Sequence, residues 1–194
     1  MPWSSRVVTL VLLVTTALVA GDHVLHVGTD TLVHHWRPQI DGQTVWVVPM
    51  FAAAAVAMLA LAAMLPSRSE VETWWPFVLA VVLFEIAYWA TGQWGDTHGT
   101  LLTVVLVVTW IGRVAVTSAP RRTVVLASAL LALTGPAVEG LVSIAGMFDY
   151  RDPDVLGVPW WLFALYLHGG PAVVAMAGVV RSARGSAVSA RHAA

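Results

Sequence analysis

The sequence contains no cysteine and no lysine, and it has little charge of either sign. The absence of cysteine excludes disulfide bonds, thiolate metal sites and cysteine nucleophiles. Only 11% of the 194 residues are charged, whereas soluble domains carry about a quarter. Apolar residues make up 58%, and alanine, valine and arginine dominate, as in proteins translated from GC-rich bacterial genomes. This composition predicts an integral membrane protein with almost no soluble part.

Six apolar stretches are each long enough to cross a bilayer, because about 20 mostly apolar residues span its hydrocarbon core as a helix. Only helices and closed barrels satisfy their backbone hydrogen bonds there, so we predict an all-α bundle of six transmembrane helices. The stretches are Val7–Val27, Thr44–Leu65, Thr73–Gly92, Gly99–Thr117, Thr123–Gly146 and Val158–Val180. The links are short, so residues 1–194 form a single domain that ends in a flexible cytoplasmic tail, 182–194. A cleavable signal peptide is the weaker alternative for the first stretch, because its removal leaves five spans.

Positive charges sort to one side of the predicted bundle. An even number of crossings places both termini on the side that carries eight of the ten arginines, and only Arg37 and Arg151 lie opposite. The positive-inside rule therefore predicts cytoplasmic termini and a multi-pass protein of the inner membrane. The outer side carries the aspartates Asp22, Asp30, Asp41, Asp96, Asp149, Asp152 and Asp154.

Three polar side chains interrupt the apolar stretches. Glu85 lies about 18 Å above the inner end of its span and His168 about 15 Å below the outer end, so we expect these two to be close enough to pair. Glu139 lies about 24 Å from the inner end of its span, near the outer interface. Arg113 is expected to extend to the inner surface without a partner. Intramembrane carboxyl groups usually face a bundle interior or a cavity, so each is a candidate for a helix–helix hydrogen bond, a ligand contact or proton transfer.

Helix breakers lie next to these groups and predict where spans part. Gly135-Pro136 precedes Glu139 by one turn, Gly169-Gly170-Pro171 follows His168, and Pro49 interrupts the second span. Most of the ten tryptophans are expected at the membrane interfaces. The predicted wall of an internal cavity consists of Trp46, Phe51, Trp89, Trp110 and Phe148.

No established metal or cofactor motif is present. The outer histidines, among them His23, His26, His34 and His35, match no metal-ligand spacing and are interpreted as ordinary interfacial residues. The sequence has no Gly-rich phosphate loop, no Gly-x-Ser-x-Gly elbow and no His-Glu-x-x-His motif. We therefore predict no cofactor, no metal and no nucleic-acid partner.

One segment resembles a known family. The residues concerned occur in one ungapped register: Gly146, Tyr150, Pro153, Asp154, Leu156, Trp161, Leu162, Gly169 and Gly170. This pattern is similar to the end of the Insig family, the insulin-induced gene proteins of the endoplasmic reticulum. Trp46-Val47-Val48-Pro49 and Ile111-Gly112 match further family positions. The resemblance identifies the chain as a bacterial, mycobacterial-type homologue.

The resemblance implies a six-helix bundle with an internal lipid pocket. In eukaryotes, family members bind oxysterol and hold a sterol-sensing partner in the membrane. The chain departs from the family at Ala87-Tyr88-Trp89-Ala90-Thr91-Gly92 and at Arg113-Val114-Ala115-Val116-Thr117-Ser118, where partner contact matters. Most bacteria also make no sterol, so we do not expect the eukaryotic partner to bind.

These observations lead to one main functional hypothesis and two alternatives. The main hypothesis is a non-enzymatic lipid-binding protein that holds a sterol-like isoprenoid or a diacylglycerol and acts as a lipid sensor or regulator. A homo-oligomer is also expected. Its lipid head would contact Glu85, His168 or Glu139. The first alternative is a lipid-modifying enzyme that uses the same three side chains as acid–base groups. A proton-coupled transporter is the second.

Overall fold

A computed structural model describes residues 5–65 and 74–192 of the chain, and in them the protein is mostly helical. The first helix continues into a π-helical segment, Asp22–Val27. The six helices are α1 Ser5–Gly21, α2 Val47–Met64, α3 Trp75–Val116, α4 Arg121–Ile144, α5 Trp160–Leu167 and α6 Gly169–His192. Residues 66–73, which include the predicted start of the third span at Thr73, lie outside the described residues, as do residues 1–4 and the last two residues of the predicted tail.

Helix α3 contains both the third and the fourth predicted spans, and its backbone is broken at His98 (φ −138°, ψ 33°). Both halves of α3 contact the break between α5 and α6, at His168 and Gly169. The Phe84 ring lies 4.0 Å from the place where a Cβ on Gly169 would be, and the Leu106 carbonyl is 2.9 Å from His168 Nε2. In a straight helix these two α3 residues would be about 33 Å apart. The chain therefore turns back on itself near His98.

Five helical segments within the described residues are long and apolar enough to cross a membrane. They are Val7–Val27, Val47–Met64, Trp75–Val116, Arg121–Ile144 and Trp160–Val180. Their limits agree with the predicted stretches to within a few residues, except that α3 joins two of them. Large apolar side chains on the outside, for example Leu12, Leu101, Val108, Leu133 and Ile144, are exposed as the lipid-facing surface of a membrane protein requires.

The glycines near the predicted helix breaks allow close packing, which differs from the expected opening of a cavity. Pro136 lies inside the continuous helix α4. A Cβ on Gly135 would lie 2.1 Å from the Tyr166 ring, and a Cβ on Gly170 would lie 2.0 Å from the Ser128 hydroxyl. Because glycine has no side chain at these positions, α4 packs directly against α5 and α6.

The all-α prediction omitted a small β structure in the links. Strand β1 (Leu32–His34) pairs antiparallel with β4 (Phe148–Tyr150), and β2 (Gln39–Ile40) pairs with β3 (Gln43–Thr44). We call residues 28–46 and 145–159, which contain these strands, the cap. The short strands satisfy backbone groups of links that would otherwise lack hydrogen bonds. The β1–β4 pair joins the α1–α2 link to the α4–α5 link.

The interior divides into two cores. The core next to the cap includes Tyr88, Phe148, Trp161 and Leu162, all at most 7% exposed. The second core lies toward the other end and includes Leu10, Phe77, Val173 and Met176 from α1, α3 and α6. Most of the buried polar side chains belong to the cap-side half, where the candidate sites are found.

Candidate functional site

Glu85 lies in an open groove with apolar walls and a volume of about 320 Å³. The other lining residues are Leu25, Val81, Val82, Ile86 and Trp89. The Glu85 side chain is half-buried, and its carboxyl makes no hydrogen bond to any residue in the described part of the chain. A carboxyl group in such surroundings is costly unless it gains a partner, so it is available to a ligand.

The helical repeat explains why these side chains form one groove. Residues 81, 82, 85, 86 and 89 recur at the spacing of one helix face. The π-helical segment supplies the facing residue, Leu25. At Gly21, a Cβ would lie 3.1 Å from Glu85 Oε2 and 2.9 Å from the Tyr88 ring, so the missing side chain lets α1 come close to the carboxyl. Glu85 and Trp89, both predicted from the sequence to contact a ligand, lie together in this groove.

Glu139 occupies a different site, in which both carboxyl oxygens have partners. The Tyr166 hydroxyl donates to Oε1 at 2.5 Å, and the Tyr150 hydroxyl donates to Oε2. Burial raises the pKa of Tyr150 well above its usual value, and the neighbouring Glu139 charge adds to the effect. The Tyr150 hydroxyl therefore keeps its proton and remains a donor. This arrangement ties α4 to β4 and α5, which is the structural alternative considered for an intramembrane carboxyl.

His168 is paired with Arg113, which corrects two expectations. Arg113 Nη1 donates to His168 Nδ1 at 3.0 Å, and His168 Nε2 donates to the Leu106 carbonyl at 2.9 Å. The expected pairing of His168 with Glu85 is therefore wrong, and so is the expectation that Arg113 lacks a partner. The reason is the reversal of α3 at His98, which brings its second half against the break between α5 and α6.

The remaining residues of the predicted cavity wall are scattered. Trp46 is 50% exposed and donates from its indole to the Arg37 carbonyl. Trp110 donates to the Ser128 hydroxyl at 3.0 Å, between α3 and α4. Phe51 packs against the cap-side core, and Phe148 lies inside that core. The five predicted wall residues therefore do not line one cavity, since Trp89 alone among them lies in the groove with Glu85.

A buried polar cluster under the cap was not predicted from the sequence. His34 Nε2 and Gln43 Nε2 both contact Asp22 Oδ2, at 3.0 and 2.6 Å. His26 Nε2 lies 3.0 Å from the Thr91 hydroxyl. The interpretation of His26 and His34 as ordinary interfacial residues is wrong, because they are 1% and 5% exposed. Their burial follows from the π-helical segment and from β1, for which the sequence offered no signal.

The buried cluster is not arranged as a metal centre. Within residues 5–65 and 74–192, no group of three or more histidine or acidic side chains is placed to hold a metal ion. Tyr88 packs edge-on against His26 with ring centroids 4.3 Å apart, and its hydroxyl makes no hydrogen bond to a described residue. Tyr88 belongs to α3, the helix that carries Glu85, so the cluster packs against that helix.

Comparison with known proteins gives a clear structural likeness. No family model matches the chain, and no curated protein sequence matches it. The fold is similar to the crystal structure of MvINS, a mycobacterial Insig homologue from Mycobacterium vanbaalenii, with a TM-score of 0.79 and 25% identity over 94% of this chain and 97% of the other. A cross-linked trimer of a cysteine variant of MvINS gives the same TM-score at 26% identity, with the same coverage. The resemblance expected from Tyr150, Asp154, Trp161 and the glycine pair is thereby confirmed.

Proposed function

We propose that this Insig-like bacterial membrane protein is a non-enzymatic protein that binds one neutral amphiphilic lipid at the Glu85 groove. The observation that carries the proposal is a carboxyl group without a hydrogen-bonding partner in the described chain, set between apolar walls. A lipid hydroxyl supplies the missing partner while its hydrocarbon part lies on Leu25, Val82 and Ile86. Sterol-like isoprenoids and diacylglycerol both have this combination of a single hydroxyl and an apolar body.

The size of the groove supports a partly enclosed ligand. Its volume of about 320 Å³ is at the lower end of the range for small-molecule sites, roughly 300–1,000 Å³. The groove therefore takes the head and the adjoining carbons, and the remaining tail stays in the bilayer. Open access from the lipid phase suits a sensor, because occupancy then follows the concentration of the lipid in the membrane.

We infer six membrane crossings, in which the two halves of α3 form a hairpin with its turn at His98. Each half is long enough for one crossing, and the contacts of Phe84 and Leu106 with the α5–α6 break support antiparallel halves. The arginine distribution then favours termini in the cytoplasm of the inner membrane, with the cap on the outer side. A homo-oligomer is also proposed, and the cross-linked MvINS trimer supports it.

The enzymatic alternative has less support from the geometry. Acid–base chemistry needs two titratable groups within reach of one substrate bond. Glu139 has both oxygens engaged by tyrosines, and His168 has both ring nitrogens engaged by Arg113 and a carbonyl. Glu85 alone lines the groove, which is sufficient for binding. Turnover of an isoprenoid or glyceride by the purified protein, abolished by Glu85→Gln, would favour the enzyme instead.

Mass spectrometry of lipids that co-purify with the protein tests the proposal. We expect one neutral lipid enriched well above its share of the host membrane, and loss of that enrichment in Glu85→Leu. Recovery of bulk phospholipid in membrane proportions, the same in both proteins, would contradict a specific site.

A further inference from the structure

A cation, Arg113, lies in the last turn of α3, inside a segment that is apolar enough to cross a membrane. Its side chain is half-buried, and its Cα lies about 22 Å from the turn at His98, counting 1.5 Å per residue. Arg113 Nη1 donates to His168 Nδ1 at 3.0 Å. His168 Nε2 donates at 2.9 Å to the carbonyl of Leu106, which precedes Arg113 by about two helical turns. The guanidinium therefore points back toward the middle of the span and away from the end of the helix.

The imidazole partner does not neutralise the charge of this guanidinium. A protonated imidazole has two N–H donors and no acceptor, so His168 accepts from Arg113 and donates to Leu106 only as the neutral ring. None of the ion pairs recorded among residues 5–65 and 74–192 includes Arg113. Charged side chains inside a membrane protein are almost always paired, so the described part of the chain leaves this cation without an anion.

The guanidinium keeps a free edge on which an anion can bind. Nη1 is used for His168, whereas Nε and Nη2 of Arg113 make no hydrogen bond to a described residue. These two N–H groups lie side by side in one plane and match the two oxygens of a carboxylate. The neighbouring Gly112 is exposed, and a Cβ added there would have no atom within 4 Å. The helix surface beside Arg113 is therefore open to the lipid phase.

The depth of the guanidinium favours one kind of lipid anion. Helix α3 ends at Val116, and the reach toward Leu106 places the guanidinium about 5–10 Å above that end. A phospholipid phosphate carries a hydrated headgroup beyond it, and that polar group would also have to leave water. A fatty acid carries its charge at the end of the hydrocarbon chain with no further polar group. Its carboxylate therefore reaches this depth at a smaller desolvation cost.

We propose that Arg113 binds the carboxylate of a long-chain fatty acid. The two carboxylate oxygens accept from Nε and Nη2, and the hydrocarbon chain stays in the bilayer. Arg113 is the binding residue, and His168 is a positioning residue that holds the guanidinium in this orientation. The site is separate from the Glu85 groove, which neither Arg113 nor His168 lines, and it takes a charged head where the groove takes an uncharged hydroxyl.

Titration of the full-length protein in a non-ionic detergent with carboxyl-labelled oleate tests the proposal, with the NMR signal of the labelled carboxyl group as the readout. Methyl oleate is the matched ligand without a charge, and we expect it not to compete. Arg113→Met should weaken oleate binding about 10- to 150-fold, the effect of losing hydrogen bonds to a charged group. Arg122→Met is the control variant, because Arg122 is exposed and lies beyond the end of α3, and it should leave binding unchanged.

Two more variants make the test independent of folding and of the Glu85 groove. Arg113→Lys keeps the charge and a donor for His168 but lacks the paired N–H edge, so it should fold and weaken binding less than Arg113→Met does. Glu85→Leu should bind oleate as the native protein does, whatever the groove holds. Equal affinities of Arg113→Met and Arg122→Met, competition by methyl oleate, loss of oleate from Glu85→Leu, or displacement of oleate by an equal amount of phosphatidylglycerol would overturn the proposal.

Discussion

Replacement of Glu85 by leucine is the sharpest test of the groove. Leucine keeps a side chain of similar length in the wall formed by Leu25 and Trp89, but removes the polar group that a lipid hydroxyl contacts. An unpaired hydroxyl in an apolar site costs roughly 1–3 kcal/mol. We therefore expect lipid binding to weaken about 5- to 150-fold. Because Glu85 makes no hydrogen bond to a described residue, thermal stability without lipid should not fall.

Two further variants make this prediction specific. Glu85→Gln keeps a donor and an acceptor at the same position, so it should retain most of the lipid. Glu139→Gln makes the same chemical change in a carboxyl that contacts Tyr150 and Tyr166 outside the groove, so it should lower stability and leave lipid occupancy unchanged. The assay is quantitative mass spectrometry of bound lipid, with melting temperature measured on the same preparation. Unchanged occupancy in Glu85→Leu would refute the groove as the binding site.

Three other substitutions test the contacts inside the fold. Tyr166→Phe removes one of the two hydroxyls on Glu139 and should cost about 1–3 kcal/mol in the free energy of unfolding, measured by denaturant titration; an unchanged value would contradict the tie. Gly170→Ala places a Cβ 2.0 Å from the Ser128 hydroxyl and should lower the free energy of unfolding by about 1–3 kcal/mol, which is measured as a lower melting temperature. An unchanged melting temperature would mean that α4 and α6 are not in contact. Arg113→Met leaves the imidazole nitrogen without its donor and should lower the unfolding free energy by about 1–3 kcal/mol, with Arg122→Met as the exposed control.

The locations of the spans could be predicted because they depend on local composition. A stretch such as Val47–Met64 is apolar all round, and burial in lipid requires no particular partner. The family resemblance rested on residues with individual roles in the fold. Tyr150 holds Glu139, Asp154 binds the backbone at the start of α5, and Trp161 fills the cap-side core. These residues occur in one ungapped register, so the pattern could be recognised in the sequence although their partners could not.

The partners of the polar residues could not be predicted because they depend on how the helices are placed against each other. Depth along each span made Glu85 and His168 plausible partners, but depth does not specify the rotation of a helix or its neighbours. The break at His98 brought Arg113 to His168 instead. The cap likewise buried His34, which looked interfacial in the sequence.

The sequence by itself determined that the chain lies in a membrane, where its helices run and which family it resembles, since these follow from apolar length and from short-range patterns. The tertiary structure decided which of three intramembrane polar groups is free to meet a ligand. Glu139 and His168 are engaged by side chains and a carbonyl 11 to 62 residues away, whereas Glu85 faces an apolar groove without such a partner. A hydrogen bond over that separation forms only after the helices have packed, so no local pattern records it.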